Sequence, residues 1–147
     1  MKNHPPLLAF NLKYFALAVF LFLVEYVIAR FVHDRIIRPY IGDLLVVILL
    51  YSLLKSFLNV SVNTALVSVL LFSFFIESTQ YFNLIGRLGL SESRAAQLIL
   101  GNSFSWIDMI AYSIGIALTW KIEDSLRKRK DRNTSKNQGI SKEVSHR

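Results

Sequence analysis

Between Ala65 and Leu84 the chain reads ALVSVLLFSFFIESTQYFNL. A run this long and this apolar leaves little choice of structure. In lipid every backbone N–H and C=O must find a partner inside the segment, so the run crosses as a helix. It also carries Glu77 and Gln80, three residues apart, with Tyr81 beside them. Residues i, i+3 and i+4 of a helix share a face. A carboxylate in such a segment is costly and normally points at a partner or a wet cavity, which makes Glu77 a candidate functional residue.

The rest of the chain repeats the pattern. The 147 residues, 53% of them hydrophobic, have a mean hydropathy of +0.41, as expected of a membrane protein with several apolar runs. We read an all-α integral membrane bundle of four transmembrane helices over residues 1–122, at about 12–32, 44–57, 64–84 and 106–122. The first run is too long for a signal-peptide core and lacks a small-residue cleavage site, so it is read as a retained helix. Gly42-Asp43 is expected to open helix two, with Asp43 meeting orphan backbone N–H groups and the helix dipole. Lys55 near its end can snorkel. Between helices three and four, Gly86 and Gly89 break the chain. Ser91 or Ser93 would then cap a short interfacial helix through SRAAQLIL, closed by Gly101. Trp106 and Trp120 bracket helix four as interfacial anchors. From Glu123 apolar content nearly vanishes, which predicts a helix extension decaying into a basic, disordered cytoplasmic tail over 123–147. Cysteine is absent, which excludes disulfides, thiolate nucleophiles and thiolate metal sites.

Charge sets the orientation. With four spans and both termini inside, the outer side holds Arg30, Arg35, Arg38, Arg87 and Arg94, and all other lysines and arginines fall inside. The positive-inside rule therefore favours N-in/C-in. The net charge of +7 is then a tail beside anionic lipid. No groove-reading motif accompanies it, so the bilayer, not nucleic acid, is the expected partner.

The acids fall the other way. Glu25, Asp43, Glu77 and Asp108 all sort to the outer half, joined by Gln80, Tyr112 and Arg38. These seven are the candidate ligand-binding residues. Blander readings stand beside them. Glu25 would neutralise Arg30 or Arg35, and Asp43 and Asp108 would cap helices. Tyr81 and Tyr112 would pack, and Gly115 would allow close helix approach. His33 reads as a solvated loop residue, while His4 and His146 offer no ligand spacing. No resident metal or cofactor is expected.

Arg38-Pro39, Gly42-Asp43, Glu77-x-x-Gln80, and Asp108 followed by Ala111-Tyr112 and Gly115 together resemble the bacterial family catalogued as domain of unknown function 2809. Over about residues 12–122 that family looks like a distant branch of the VanZ-like proteins, whose namesake is associated with teicoplanin resistance. VanZ-like proteins carry a Glu-x-x-Gln pair and an Asp at the start of the last helix, matched here by Glu77, Gln80 and Asp108. Four residues after that Asp they have Asn, where this chain has Tyr112. The resemblance implies a multi-pass protein of the bacterial cytoplasmic membrane and supplies no reaction. Three functions follow as expectations. The first is a site for the head group of an envelope lipid or cell-wall precursor. The second is a carboxylate- or metal-dependent enzyme acting on a lipid phosphate. The third is a small transporter or assembly subunit, working as a homo-oligomer.

Overall fold

The computed structural model describes residues 6–32, 37–89, 92–93 and 104–145, with the backbone alone at 37–39, 84 and 136–145. The chain forms α1 (Leu12–Phe31), α2 (Ile37–Phe57), α3 (Val62–Tyr81), α4 (Leu84–Arg87) and α5 (Trp106–Ser145). Among the described residues the only extended pairing is an isolated bridge between Leu8 and Leu58.

Each start has a local cause. Asn11 caps α1 by accepting from the Lys13 N–H at 3.1 Å, and Ser61 caps α3 through the Thr64 N–H, also at 3.1 Å. A helix end leaves its last carbonyls without partners. The segment before α1 supplies some for α2: Ala9 N–H donates to the Phe57 carbonyl at 3.1 Å and Asn11 N–H to Ser56 at 2.8 Å. At the other end of α3, Asn83 turns the chain with φ +47° and the short α4 follows.

α2 is the central helix, packed against α1, α3 and α5, while α3 also packs on α5. Side-chain pairs give the directions. Tyr14 lies against Tyr51 and Glu25 against Gly42, so α1 runs antiparallel to α2. Tyr112 reaches Asp43 and Glu123 reaches Tyr51, so α5 runs parallel to α2. One end of the bundle therefore gathers the C-termini of α1 and α3 with the N-termini of α2 and α5.

Three helical segments are long and apolar enough to cross a membrane: Leu12–Phe31, Tyr40–Phe57 and Val62–Tyr81. Their outward faces expose large apolar residues such as Phe20, Phe22, Leu71 and Phe75, as lipid-facing surfaces do and as soluble surfaces rarely do. The apolar part of α5 includes Asp108 and Lys121 and does not meet the same measure of length and composition.

Several expected boundaries are corrected. α2 begins at Ile37, not Leu44, because Pro39 falls in the first turn, where a missing N–H is no loss. Asp43 is consequently an interior residue of α2 and caps nothing. α3 is shifted toward the N-terminus by two or three residues, since Ser61 starts it and Asn83 ends it. The helix extension expected from Glu123 does not decay but continues unbroken to Ser145 in α5. Lys and Arg are good helix formers, and Asp124 holds Lys128 at 2.6 Å and Arg127 at 3.8 Å across one turn. The expected interfacial helix through SRAAQLIL lies almost wholly outside the described residues.

The core consists of Val47, Tyr51, Ala65, Leu66, Val69 and Tyr112. α2 and α5 meet over Gly115. A methyl group there would overlap the Val47 side chain and stand 2.9 Å from the Leu44 carbonyl oxygen. The expected result for Gly115→Ala is a loss of about 1–3 kcal/mol, seen as a lowered thermal midpoint in detergent. Val47→Ala in the same chain should recover only part of it, because the Leu44 backbone cannot be trimmed. Full recovery, or no loss at all, would mean the two helices are not in close contact there.

Candidate functional site

Four carboxylates come together at the end where α2 and α5 begin. Glu77, on the last turns of α3, is fully buried. Its Oε1 accepts the backbone N–H of Ser105 at 2.7 Å. Ser105 immediately precedes α5, and its hydroxyl accepts from the Asp108 N–H at 3.4 Å. In a capping box the acid three residues into the helix would bond back to the cap's own N–H. Here Glu77 of another helix takes that place, and the residue at that position, Asp108, is left to face α2.

Asp108 lies beside Asp43 there, close enough for the two carboxyls to act on each other. The Tyr112 hydroxyl, one turn further along α5, donates to Asp43 Oδ1 at 3.5 Å and lies beside Glu77 as well. Asp43, Glu77, Asp108 and Tyr112 thus form one connected group from three helices. Glu25 borders it from α1, its carboxylate against Gly42. Among the described residues no ion pair joins Glu25 to Arg30; Arg35, the other expected partner, lies outside them.

Among the described residues, three buried polar atoms lie in or next to this group without a partner in the protein. Glu77 Oε2 and Glu25 Oε1 are buried without a hydrogen-bond partner. Ser73 Oγ, one turn below Glu77 on the same face of α3, is also buried and unpartnered. Buried polar atoms are nearly always satisfied by protein or water, and these three, on α1 and α3, have no protein partner among the described residues. Among the described residues no group of three carboxylate or imidazole side chains is arranged to hold a metal ion.

The other expected residues divide. Gln80 is half-buried, one turn beyond Glu77. Tyr81 is exposed and packs edge-on against Phe82 and Phe104. With Trp106 on Phe104, these rings form an aromatic patch at this end, suited to an interface. The Arg38 backbone lies in the first turn of α2, and its side chain is outside the described residues, as are His33 and Arg94.

A second cluster was not expected from the sequence. At the opposite end, Glu123 Oε1 accepts the hydroxyls of Tyr14 at 2.7 Å and Tyr51 at 2.9 Å, joining α1, α2 and α5. Lys55 stands 5.7 Å from the centre of the Tyr14 ring and donates to the Val60 carbonyl at 2.6 Å. The signal was present as a stripe: Asp108, Tyr112, Gly115, Thr119 and Glu123 recur every three or four residues, on one helix face.

Comparison with known proteins gives one match. A family model described as "Protein of unknown function (DUF2809)" covers residues 32–116. No curated protein and no solved structure matches the chain.

The two clusters make separate predictions about stability in detergent. Glu77→Ala removes the acceptor of a buried N–H and should cost about 1–3 kcal/mol, whereas Glu77→Gln keeps an acceptor and should lose much less. Equal losses would show that the Ser105 hydrogen bond does not hold the start of α5. At the other end, Tyr14→Phe and Tyr51→Phe should each cost about 1 kcal/mol. Because both bond the same oxygen, their combined loss should depart from the sum; strict additivity would mean that Glu123 does not couple them.

Proposed function

Because the chain belongs to the DUF2809 family of proteins of unknown function, with Asp43, Glu77, Gln80, Asp108 and Tyr112 all inside the matched region, we propose that these residues form a binding site for a membrane amphiphile. Its ligand is the head group of an envelope lipid or cell-wall precursor. Glu25 borders the site, and the Arg38 backbone lies in the first turn of α2, five residues before Asp43. The proposal includes four spans, N-in/C-in orientation in a bacterial cytoplasmic membrane, and kinship with the VanZ-like proteins. The observation that carries it is Glu77, fully buried with one carboxylate oxygen unpartnered. A purely structural carboxylate in a bundle is expected to have both oxygens engaged, because interhelical polar contacts return only about 1 kcal/mol.

One further observation supports an amphiphile and another supports the fourth span. A groove of about 470 Å³ between α2 and α3 is lined by Leu50, Leu54, Phe57, Val69 and Phe72 among others. It starts about 10 Å along α2 from Asp43 at ~1.5 Å per residue. Between two candidate spans, the medium available to fill such a groove is acyl chain. The second observation supports α5 as the fourth span: it parallels α2 from Asp43 to Tyr51 and exposes Ile107, Ile110, Ile114 and Leu118.

Both halves are testable. The natural chain has no cysteine, so single cysteines report topology directly. Asn59→Cys and Ser135→Cys should react with an impermeant thiol reagent only from the cytoplasmic side, and Leu88→Cys only from the outside. Asn59→Cys and Ser135→Cys labelling from opposite sides would remove the fourth span. For the site, native mass spectrometry of gently solubilised protein should show an envelope lipid retained by the wild type and lost in Glu77→Ala. Equal retention by two well-folded samples would end the head-group reading.

A further inference from the structure

The described site is one-sided in charge. Asp43, Glu77 and Asp108 face one another around the Tyr112 hydroxyl, and Glu25 sits beside them over Gly42. Among the described residues no lysine, arginine or histidine is ion-paired with any of the four; both ion pairs present are on Asp124. The backbone supplies a small part of the missing positive charge, through the Ser105 N–H on Glu77 and the start of α5 near Asp108. Among the described residues Asp43, which lies inside α2, receives only the Tyr112 hydroxyl. Facing carboxylates repel, and a positive group between them removes the repulsion.

From this we infer that the head group bound at this end is recognised through a primary ammonium, held by Asp43, Asp108 and the free oxygen of Glu77, with Tyr112 as a neighbouring hydroxyl. The inference rests on the binding-site reading above and narrows it. An ammonium presents three N–H donors in diverging directions. The group here offers acceptors from three helices, and its free acceptor, Glu77 Oε2, is on a side chain with no exposed surface. A phosphate alone would meet only negative charge and a hydroxyl on these residues. The buried Ser73 Oγ one turn below can accept a further donor or a water from the same ligand.

The test compares probes that differ at one group. Purified full-length protein is exchanged into nanodiscs containing phosphatidylethanolamine, its N-acetylated derivative, or phosphatidylglycerol, all with the same acyl chains. Retained lipid is counted by native mass spectrometry. The expected result is at least several-fold preference for phosphatidylethanolamine over both others, falling about tenfold in Glu77→Gln and in Asp43→Asn; tenfold corresponds to about 1.4 kcal/mol. Glu77→Gln keeps the acceptor for Ser105, and the wild-type comparison of lipids does not depend on either variant folding. Soluble glycerophosphoethanolamine is added as a competitor. If it displaces the lipid, the ammonium is bound without its chains; if it does not, the chains contribute to the same amine-dependent site. Equal retention of all three lipids, still lost in the variants, would overturn the ammonium and leave a head-group site whose facing carboxyls share a proton instead. Retention indifferent to both head group and variants would overturn the site itself.

Discussion

The hydrogen bond from the Ser105 N–H to Glu77 joins the C-terminal end of α3 to the first residue before α5. It decides where the last helix begins, and so which side chains face α2. With Glu77 serving the cap, Asp108 is released toward Asp43, and Tyr112 follows one turn later. A fully buried carboxylate is expensive in a membrane. The bond to one of its oxygens lessens the cost, and the other oxygen is buried without a partner among the described residues.

The α2–α5 contact is what lets both polar clusters exist. The two helices run parallel, and α5 presents Asp108, Tyr112, Gly115, Thr119 and Glu123 along the line where α2 presents Asp43, Val47 and Tyr51. Gly115 in the middle admits close approach over Val47, so the acids at each end reach across the seam. Thr119, buried and bonded to the Gly115 carbonyl at 2.8 Å, adds no polar demand on α2. The two ends differ in chemistry. At the Glu123 end one oxygen is bonded by two tyrosine hydroxyls, which suits a fastening. At the Glu77 end, among the described residues, acceptors outnumber donors.

The helical bundle was legible because apolar runs are read by length alone, and α1 was placed to within one residue. The polar end was legible because acids in such runs are rare enough to stand out, and the alternating direction of the helices sorts them to one side. The errors have local causes. Pro39 was read as preceding α2 when it occupies the first turn, and this made Asp43 look like a cap. Tyr81 follows Glu77 by four residues, yet it sits at the last turn and turns outward onto Phe104. Glu123 stands where the composition changes, so as sequence it reads as the first residue of the polar tail rather than the last member of the stripe. Ser105 and Ser73 carry no sequence signal of their own; their roles come from what the fold sets beside them.

The unbroken length of α5 gives the molecule mechanical reach. Its 40 residues extend about 60 Å, roughly twice the apolar thickness of a bilayer. Glu123, bound by Tyr14 and Tyr51, sits near the middle of that rod. Before it Ala111, Tyr112 and Thr119 are buried against the other helices; after it the described side chains from Ser125 to Ser135 are exposed. One continuous helix thus serves as a member of the bundle in its first half and as an exposed, basic spar in its second.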